Sequence, residues 1–259
     1  MVGQIMSLAA SQWRNLSAGE RANLLAQASL LAHWDRERWQ RPDLTSAEPG
    51  QQLVSAAHVG ELAGMLRAGG RIPAASLTPA VRARPLNPGA GKIIVVDRSG
   101  NAVACATSAN GLFGLARMAP GTGVVIAAAS TPNDNGMQWL SPVLVGRRNG
   151  VLGGAVGGGG AVTPTVVSQI LLTTMIERRP LDEAIAGPRM NYTGAPDQVG
   201  VEEGASELGD AVRGAGYTVR SFPPFGKVSG FSCPDGVNRP EQCRFVSDPR
   251  EPGMAITAN

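Results

Sequence analysis

The chain has 259 residues, 43% hydrophobic and 17% charged, with 34 glycines and 19 prolines, which describes a loop-rich globular protein of one large or two modest domains. Its formal net charge is +3, but the 23 Lys and Arg residues are scattered and aromatics reach only 4%, so nucleic acid is set aside as a partner. No apolar run approaches the ~20 residues of a membrane helix, and the opening "MVGQIMSLAASQW" lacks the charged n-region of a signal peptide.

Residues 4–83 read as a helical segment. Ser17-Ala-Gly-Glu20 is a capping box, in which each side chain satisfies an orphan N–H of the helix start. Behind it Leu24, Leu25, Ala28, Leu31 and Ala32 keep helical spacing, and "DRERW" closes the segment before Pro42. A further helix is predicted from Ala56 to Arg67, stopping at Gly69-Gly70. A Pro- and Arg-rich connector follows, Arg82 to Pro88.

From Lys92 the pattern changes to strands. "KIIVVD", the turn "RSGN" and "AVACATS" make a hairpin, with Cys105 expected as a small buried hydrophobe. "TGVVIAAA" reads as another strand, and "SPVLVGR" and "VLGGAV" flank a turn at Arg148-Asn149-Gly150. Gly157–Gly160 then leads into a helix over Thr165–Glu177. "PLDEAIAGP" and "ASELGDAVRGAG" are short helices, followed by strands near Tyr217–Phe222, Val228–Ser232 and Arg244–Val246. This order predicts an α/β or α+β layered domain with a mixed sheet. Cys233 and Cys243 flank the turn-rich "PDGVNRPEQ"; strands closing that loop would bring the thiols within disulfide range, and a bridge and two free thiols stay equally open.

Two glycine-rich stretches raise the question of phosphate binding. At "NPGAGKIIVVD", Pro85 and Pro88 preclude an ordinary strand before the glycines. Lys92 is followed by Ile93 instead of Ser or Thr, and a strand begins where a helix should. "GAGK" is therefore no nucleotide loop. "GGAVGGGGAVTP" links a strand to a helix, so its N–H groups and the helix dipole suit an anion or oxyanion; a tight turn needed only for packing is the equal alternative.

"VVDRSGNAV" (Val95–Val103), "SAN" (Ser108–Asn110), "FG" (Phe113–Gly114), "LSPVLV" (Leu140–Val145), the glycine loop, "LDEAIAGPR" (Leu181–Arg189) and "SDPR" (Ser247–Arg250) occur in that order. The series resembles the small catalytic subunit of the γ-glutamyltranspeptidase family (glutathione hydrolases) over residues 90–252. "GQIMSLAA…LLAHWDRERW" is similar to the last helical part of that family's large subunit. The resemblance implies an N-terminal nucleophile hydrolase with a layered αββα fold, here partial and preceded by the helical segment. It also implies a precursor that cuts itself before a Thr. That Thr attacks the γ-glutamyl amide, with its own α-amino group, which titrates near ~8, as base. Residues 1–83 are then the large-subunit remnant, 84–91 the connector at the cleavage site, 92–252 the small-subunit-like part and 253–259 a tail.

Carried over residue by residue, the resemblance places the nucleophile seven residues before Asp97, at Ala90. Gly91 follows, and no Ser, Thr or Cys lies between Asn87 and Asp97. Self-cleavage by acyl shift cannot begin without a hydroxyl or thiol. Gly159 and Gly160 match the oxyanion glycines, Asn110 the substrate-contacting Asn, and Ser108 stands where a Thr precedes it. The acidic residue that holds the substrate's amino group falls at Pro132, with Asp134 two places late. The paired serines are replaced by Gln138-Trp139.

The preferred reading is a degenerate, non-catalytic subunit, scaffold or binding protein. The alternatives are half of a split enzyme completed by a partner, and an amide hydrolase with a relocated nucleophile among Thr107, Ser108 and Thr163. His33 and His58 are the only histidines, away from the glycine loop, and no cofactor or metal is expected. Arg189 and Arg250 read as structural and Trp34 and Trp39 as packing anchors. With only a remnant of the large subunit, the sheets are expected to expose an apolar face and edges that call for a second polypeptide or self-association. A γ-glutamyl or amino-acid-like ligand follows from the resemblance. The family and the cysteine pair suggest an exported location, against the absent signal peptide.

Overall fold

The computed structural model describes residues 13–41, 45–67, 69–83, 90–111, 113–129, 139–148 and 150–257. In chain order its elements begin with α1 (Ala18–Trp39), α2 (Gly50–Leu53) and α3 (Ala56–Gly64). The hairpin strands β1 (Gly91–Val96) and β2 (Ala102–Thr107) follow, then β3 (Ser141–Arg147) and β4 (Gly150–Gly158). Next come α4 (Thr163–Met175), α5 (Leu181–Ala186), β5 (Met190–Asn191), β6 (Val199–Glu202) and α6 (Ser206–Gly214). The last are β7 (Val219–Phe222), β8 (Lys227–Ser232) and β9 (Arg244–Val246). The chain divides into two compact units, Met1–Arg84 with Met175–Arg178 and Pro188–Phe225, and Pro85–Thr174 with Arg179–Gly187 and Gly226–Asn259.

In the first unit α1 starts at the capping box: Glu20 N–H donates to Ser17 Oγ at 3.3 Å, and Ser17 N–H to the Glu20 carboxylate at 2.7 Å. The Ser17 side chain and then its backbone hold the Glu20 carboxyl below its ordinary range. Leu25, Ala26, Ala28, Leu30 and Leu31 are buried along the helix. Polar residues among them are each paired, because a buried polar group left alone is costly. Tyr217 O–H donates to Asn23 Oδ1 at 2.9 Å, Ser29 O–H to the Tyr192 carbonyl at 2.7 Å, and Gln27 exchanges bonds with both backbone groups of Arg67. β5, β6 and β7 form a mixed sheet, β6 and β7 being parallel and joined through α6. The sequence reading passed over β5 and β6, which are short and set among glycine and proline. The helix predicted to Arg67 ends at Gly64.

The second unit is layered. β3, β4, β8 and β9 form an antiparallel four-stranded sheet, and β1 and β2 a separate two-stranded one. A Cβ placed on Gly157 would stand 2.8 Å from Val167 of α4, and one on Gly230 would stand 3.6 Å from Leu181 of α5. One face of the large sheet therefore lies under the helices. On the other face Phe231 packs with Cys233, Val237 and Cys243 against Ile94, Val96 and Ala102 of the hairpin. The layers are helix, sheet, hairpin: a partial αββα sandwich. The hairpin's remaining face is exposed, with Ile93 at 59%, Val95 at 49% and Val103 at 58%.

That alternation corrects two expectations. Cys105 lies opposite Ile93 across the hairpin and shares its outward face, so it is exposed, not buried. "TGVVIAAA" is no strand. It folds back on its own loop through Leu115 N–H to Ile126 O (2.9 Å) and Ala119 N–H to Val124 O (2.8 Å). Cys233 and Cys243 are disulfide-bonded, with Cα atoms 4.3 Å apart. Arg250 donates to the Ile185, Ala186 and Gly187 carbonyls, so its guanidinium caps the C-terminus of α5.

Candidate functional site

The glycine run adopts backbone that side chains rarely reach. Gly159 has φ +140° and Gly160 φ +76°, which carry the chain out of β4 through a short 3₁₀ turn and into α4. Ala90 immediately precedes β1, and a Cβ on Gly158 would stand 2.7 Å from the Ala90 Cβ. Ala90 and the glycine loop are thus brought together, although 66 residues lie between Ala90 and Gly157 in the sequence. Gly91 pairs with Thr107 across the hairpin, which puts Ala90 and Ser108 at the same open end.

At that end Asn110 is buried in the left-handed region, with φ +54°. Its N–H donates to Ser108 Oγ at 3.1 Å, and its side-chain amide to the Ala128 carbonyl at 3.1 Å. Here its amide nitrogen anchors the loop that follows β2. Asp134, Pro132 and Gln138 lie outside the described residues. Trp139 is buried just before β3. Thr163, a candidate relocated nucleophile, is fully buried at the start of α4, out of reach of a substrate. Thr107 is exposed on the hairpin's outer face.

The remaining candidates stand elsewhere. In the first unit His58 Nε2 lies 2.9 Å from Asp35 Oδ2, and Trp39 Nε1 donates to the same oxygen at 3.2 Å. No group of His, Cys, Asp or Glu suited to a metal ion occurs among the described residues. Arg189 is buried and donates to the Phe225 carbonyl at 2.9 Å. No helix of the described residues is long and apolar enough to cross a membrane.

Sequence reasoning missed Lys92 and Glu251. In the sequence Lys92 reads only as a nucleotide-loop lysine, but it forms an ion pair with Glu251, and both line a cavity of about 340 Å³ together with Ala90. A signal was present: Lys92 shares the parity of Ile94 and Val96, the residues that face the large sheet. It could not be used, because Ile93 and Val95 make the other face look equally buried.

A family model described as gamma-glutamyltranspeptidase matches residues 2–131. No curated protein matches the chain. Among solved structures, a gamma-glutamyltranspeptidase from Pseudomonas nitroreducens complexed with L-DON is 21% identical with a TM-score of 0.52, over 65% of this chain and 99% of its own. The transpeptidase enzyme CapD of Bacillus anthracis is 16% identical with a TM-score of 0.51, over 65% and 99%. Cephalosporin acylase from Bacillus halodurans reaches a TM-score of 0.65 at 17% identity, over 98% of this chain, which spans 48% of that one. At such identities the structural likeness shows the fold alone.

Proposed function

The chain belongs to the gamma-glutamyltranspeptidase family, and on that premise we propose that it has lost γ-glutamyl transfer and acts as a non-catalytic binding protein or subunit. One observation carries this reading. The residue set against the glycine loop, where the family's nucleophile belongs, is Ala90, and its methyl group can neither attack an amide nor start an acyl shift. The loop that would stabilise an oxyanion persists beside it, so the lost element is the attacking group.

The test uses the purified chain. It releases no nitroaniline from a γ-glutamyl anilide, and its denatured mass stays at an uncut 26.7 kDa. Nitroaniline release, or a pair of fragments divided before residue 90, overturns the proposal.

A second reading, a half-enzyme completed by a partner polypeptide, draws on the exposed outer face of the hairpin, where Ile93, Val95 and Val103 are uncovered. Under that reading activity is absent from the chain alone and returns on adding the partner. Isolation from the native source as a complex active on the anilide distinguishes it from the first.

A further inference from the structure

The 23 Lys and Arg residues are scattered along the sequence, and the fold gathers some of them. β4 is nine residues long, ~30 Å at ~3.3 Å per residue, so the turn that enters it stands well away from the glycine loop at its other end. Three connections of the second unit meet at that far end: the β3–β4 turn, the hairpin turn after Asp97 and the β8–β9 loop. Val237 N–H donates to Val151 O at 3.0 Å and Cys233 N–H to Leu152 O at 2.7 Å, while a Cβ on Gly100 would stand 2.7 Å from Asn238 Oδ1. The Cys233–Cys243 disulfide closes the β8–β9 loop at its base.

These connections carry Arg98, Arg147, Arg148 and Arg239, all exposed, with Asp97, Asp235 and Glu241. Asp97 is turned into its own hairpin, accepting the Ser99 and Asn101 N–H groups at 2.9 and 2.8 Å. Elsewhere, arginines at the surface take acidic partners: Arg71 with Asp197, Arg82 with Glu37, Arg179 with Glu183 and Arg213 with Asp210. Arg147 and Arg148 have none among the described residues. Neighbouring residues of a strand point to opposite faces, but β3 ends at Arg147, and the turn brings Arg148 round to the same cavity. That cavity measures about 520 Å³ and is lined also by Leu152, Pro234 and Asp235; small-molecule sites typically span ~300–1,000 Å³. Two guanidiniums side by side repel each other, so the fold gains nothing from the pair.

We propose that this far end of the sandwich binds a phosphate monoester. The charge sets the class. Two guanidinium forks call for an anion of nearly two charges with several acceptor oxygens, and a phosphate monoester carries about −1.5 to −2 at neutral pH and three such oxygens. A carboxylate supplies one charge and two oxygens. Asp235 turns away a second anionic group and accepts from a hydroxyl or ammonium on the organic part, while Leu152 and Pro234 offer that part an apolar wall. The site is independent of Ala90 and of the fate of γ-glutamyl transfer.

The experiment is calorimetric titration of the full chain with phenyl phosphate, phenyl sulfate and benzoate at one ionic strength. Phenyl phosphate binds, and the two singly charged compounds bind at least about tenfold more weakly, since each forfeits charge-assisted contacts. The double variant Arg147→Gln/Arg148→Gln changes two exposed side chains, melts within a few degrees of the parent and binds phenyl phosphate at least about tenfold more weakly. Vesicles identify the source of the group, because phosphatidic acid presents a monoester and phosphatidylglycerol a diester. Retention on phosphatidic acid alone supports the site with a lipid headgroup as its source, and retention on neither, with phenyl phosphate bound, supports a soluble one. No heat from phenyl phosphate at millimolar concentration, equal binding of the three compounds, a folded double variant that binds as the parent does, or equal retention on both vesicles overturns the site.

Discussion

A methyl group on Gly159 would stand 3.1 Å from the Gly226 Cα, in a backbone conformation with φ +140° that only glycine occupies readily. Gly159→Ala is therefore expected to lower the stability of the second unit by about 1–3 kcal/mol, read as an earlier thermal or urea transition; an unchanged transition would contradict the loop geometry. The two tyrosines of the chain, Tyr192 and Tyr217, pack edge to face in the first unit with centroids 5.4 Å apart. Burial raises both phenols well above their ordinary value, and for Tyr192 the hydrogen bond to Asp197 adds to it. A raised folded value means that folding favours the neutral phenol. The stability this contributes is complete below the unfolded value of ~10 and is lost as pH rises beyond it. Absorbance at the tyrosinate band should stay flat past that point and climb only with loss of circular dichroism. A rise in the intact fold would show at least one phenol to be solvated. At this scale the sequence exposed what chemical identity alone decides: residue 90 is an alanine, with neither hydroxyl nor thiol, and a glycine run faces it. It hid Lys92 and Glu251, because their meaning depends on which face of a strand looks inward.

α5 spans only Leu181–Ala186, too short to hold itself in water. Its last carbonyls are met by the Arg250 guanidinium, with bonds of 2.8 Å to Ile185 O and 2.9 Å to Gly187 O. Asp248 is buried, accepts the Val228 N–H at 2.6 Å and lies 3.4 Å from Arg250, so one turn fastens the helix to β8. Arg250→Met keeps most of the side-chain volume and removes these bonds. It should cost about 2 kcal/mol, as expected for hydrogen bonds to a charged group, and should raise hydrogen exchange in residues 181–187 before other parts of the second unit. Uniform exchange in the variant would mean that the helix is held by packing of Leu181 and Ile185 instead. Elements with local signatures were legible: the capped α1, the hairpin around its Asp97–Asn101 turn, and the strand–glycine–helix sequence of β4 and α4. β5 and β6 were not, and "TGVVIAAA" was misread, for one reason. Strand propensity reports what fits a sheet, while pairing depends on a neighbour that the local sequence does not contain.

The hairpin at the margin of the second unit joins these scales. Its inner face is consumed by Phe231 and the disulfide cluster, so Ile93, Val95, Val103 and Cys105 have nothing described above them. An apolar sheet face left in water costs the isolated chain nothing it can recover alone, but it gives any complementary apolar surface a gain of ~25 cal/mol for each Å² covered. Val95 and Val103 lie directly opposite each other in the register. Val95→Glu with Val103→Lys replaces the centre of that face by an opposite-charge cross-strand pair, an arrangement favourable or neutral within a hairpin. The variant is expected to melt within a few degrees of the parent, because neither residue packs inward. It should differ in association: the parent sediments as a concentration-dependent mixture at micromolar levels and binds a hydrophobic dye, whereas the variant sediments as a monomer and binds little. Dye binding that survives the substitution would move the apolar patch to the loop bearing Phe113, Met118 and Val124, which are equally exposed. A parent chain that stays monomeric throughout, with no dye bound, would show that the face has no affinity for its own kind.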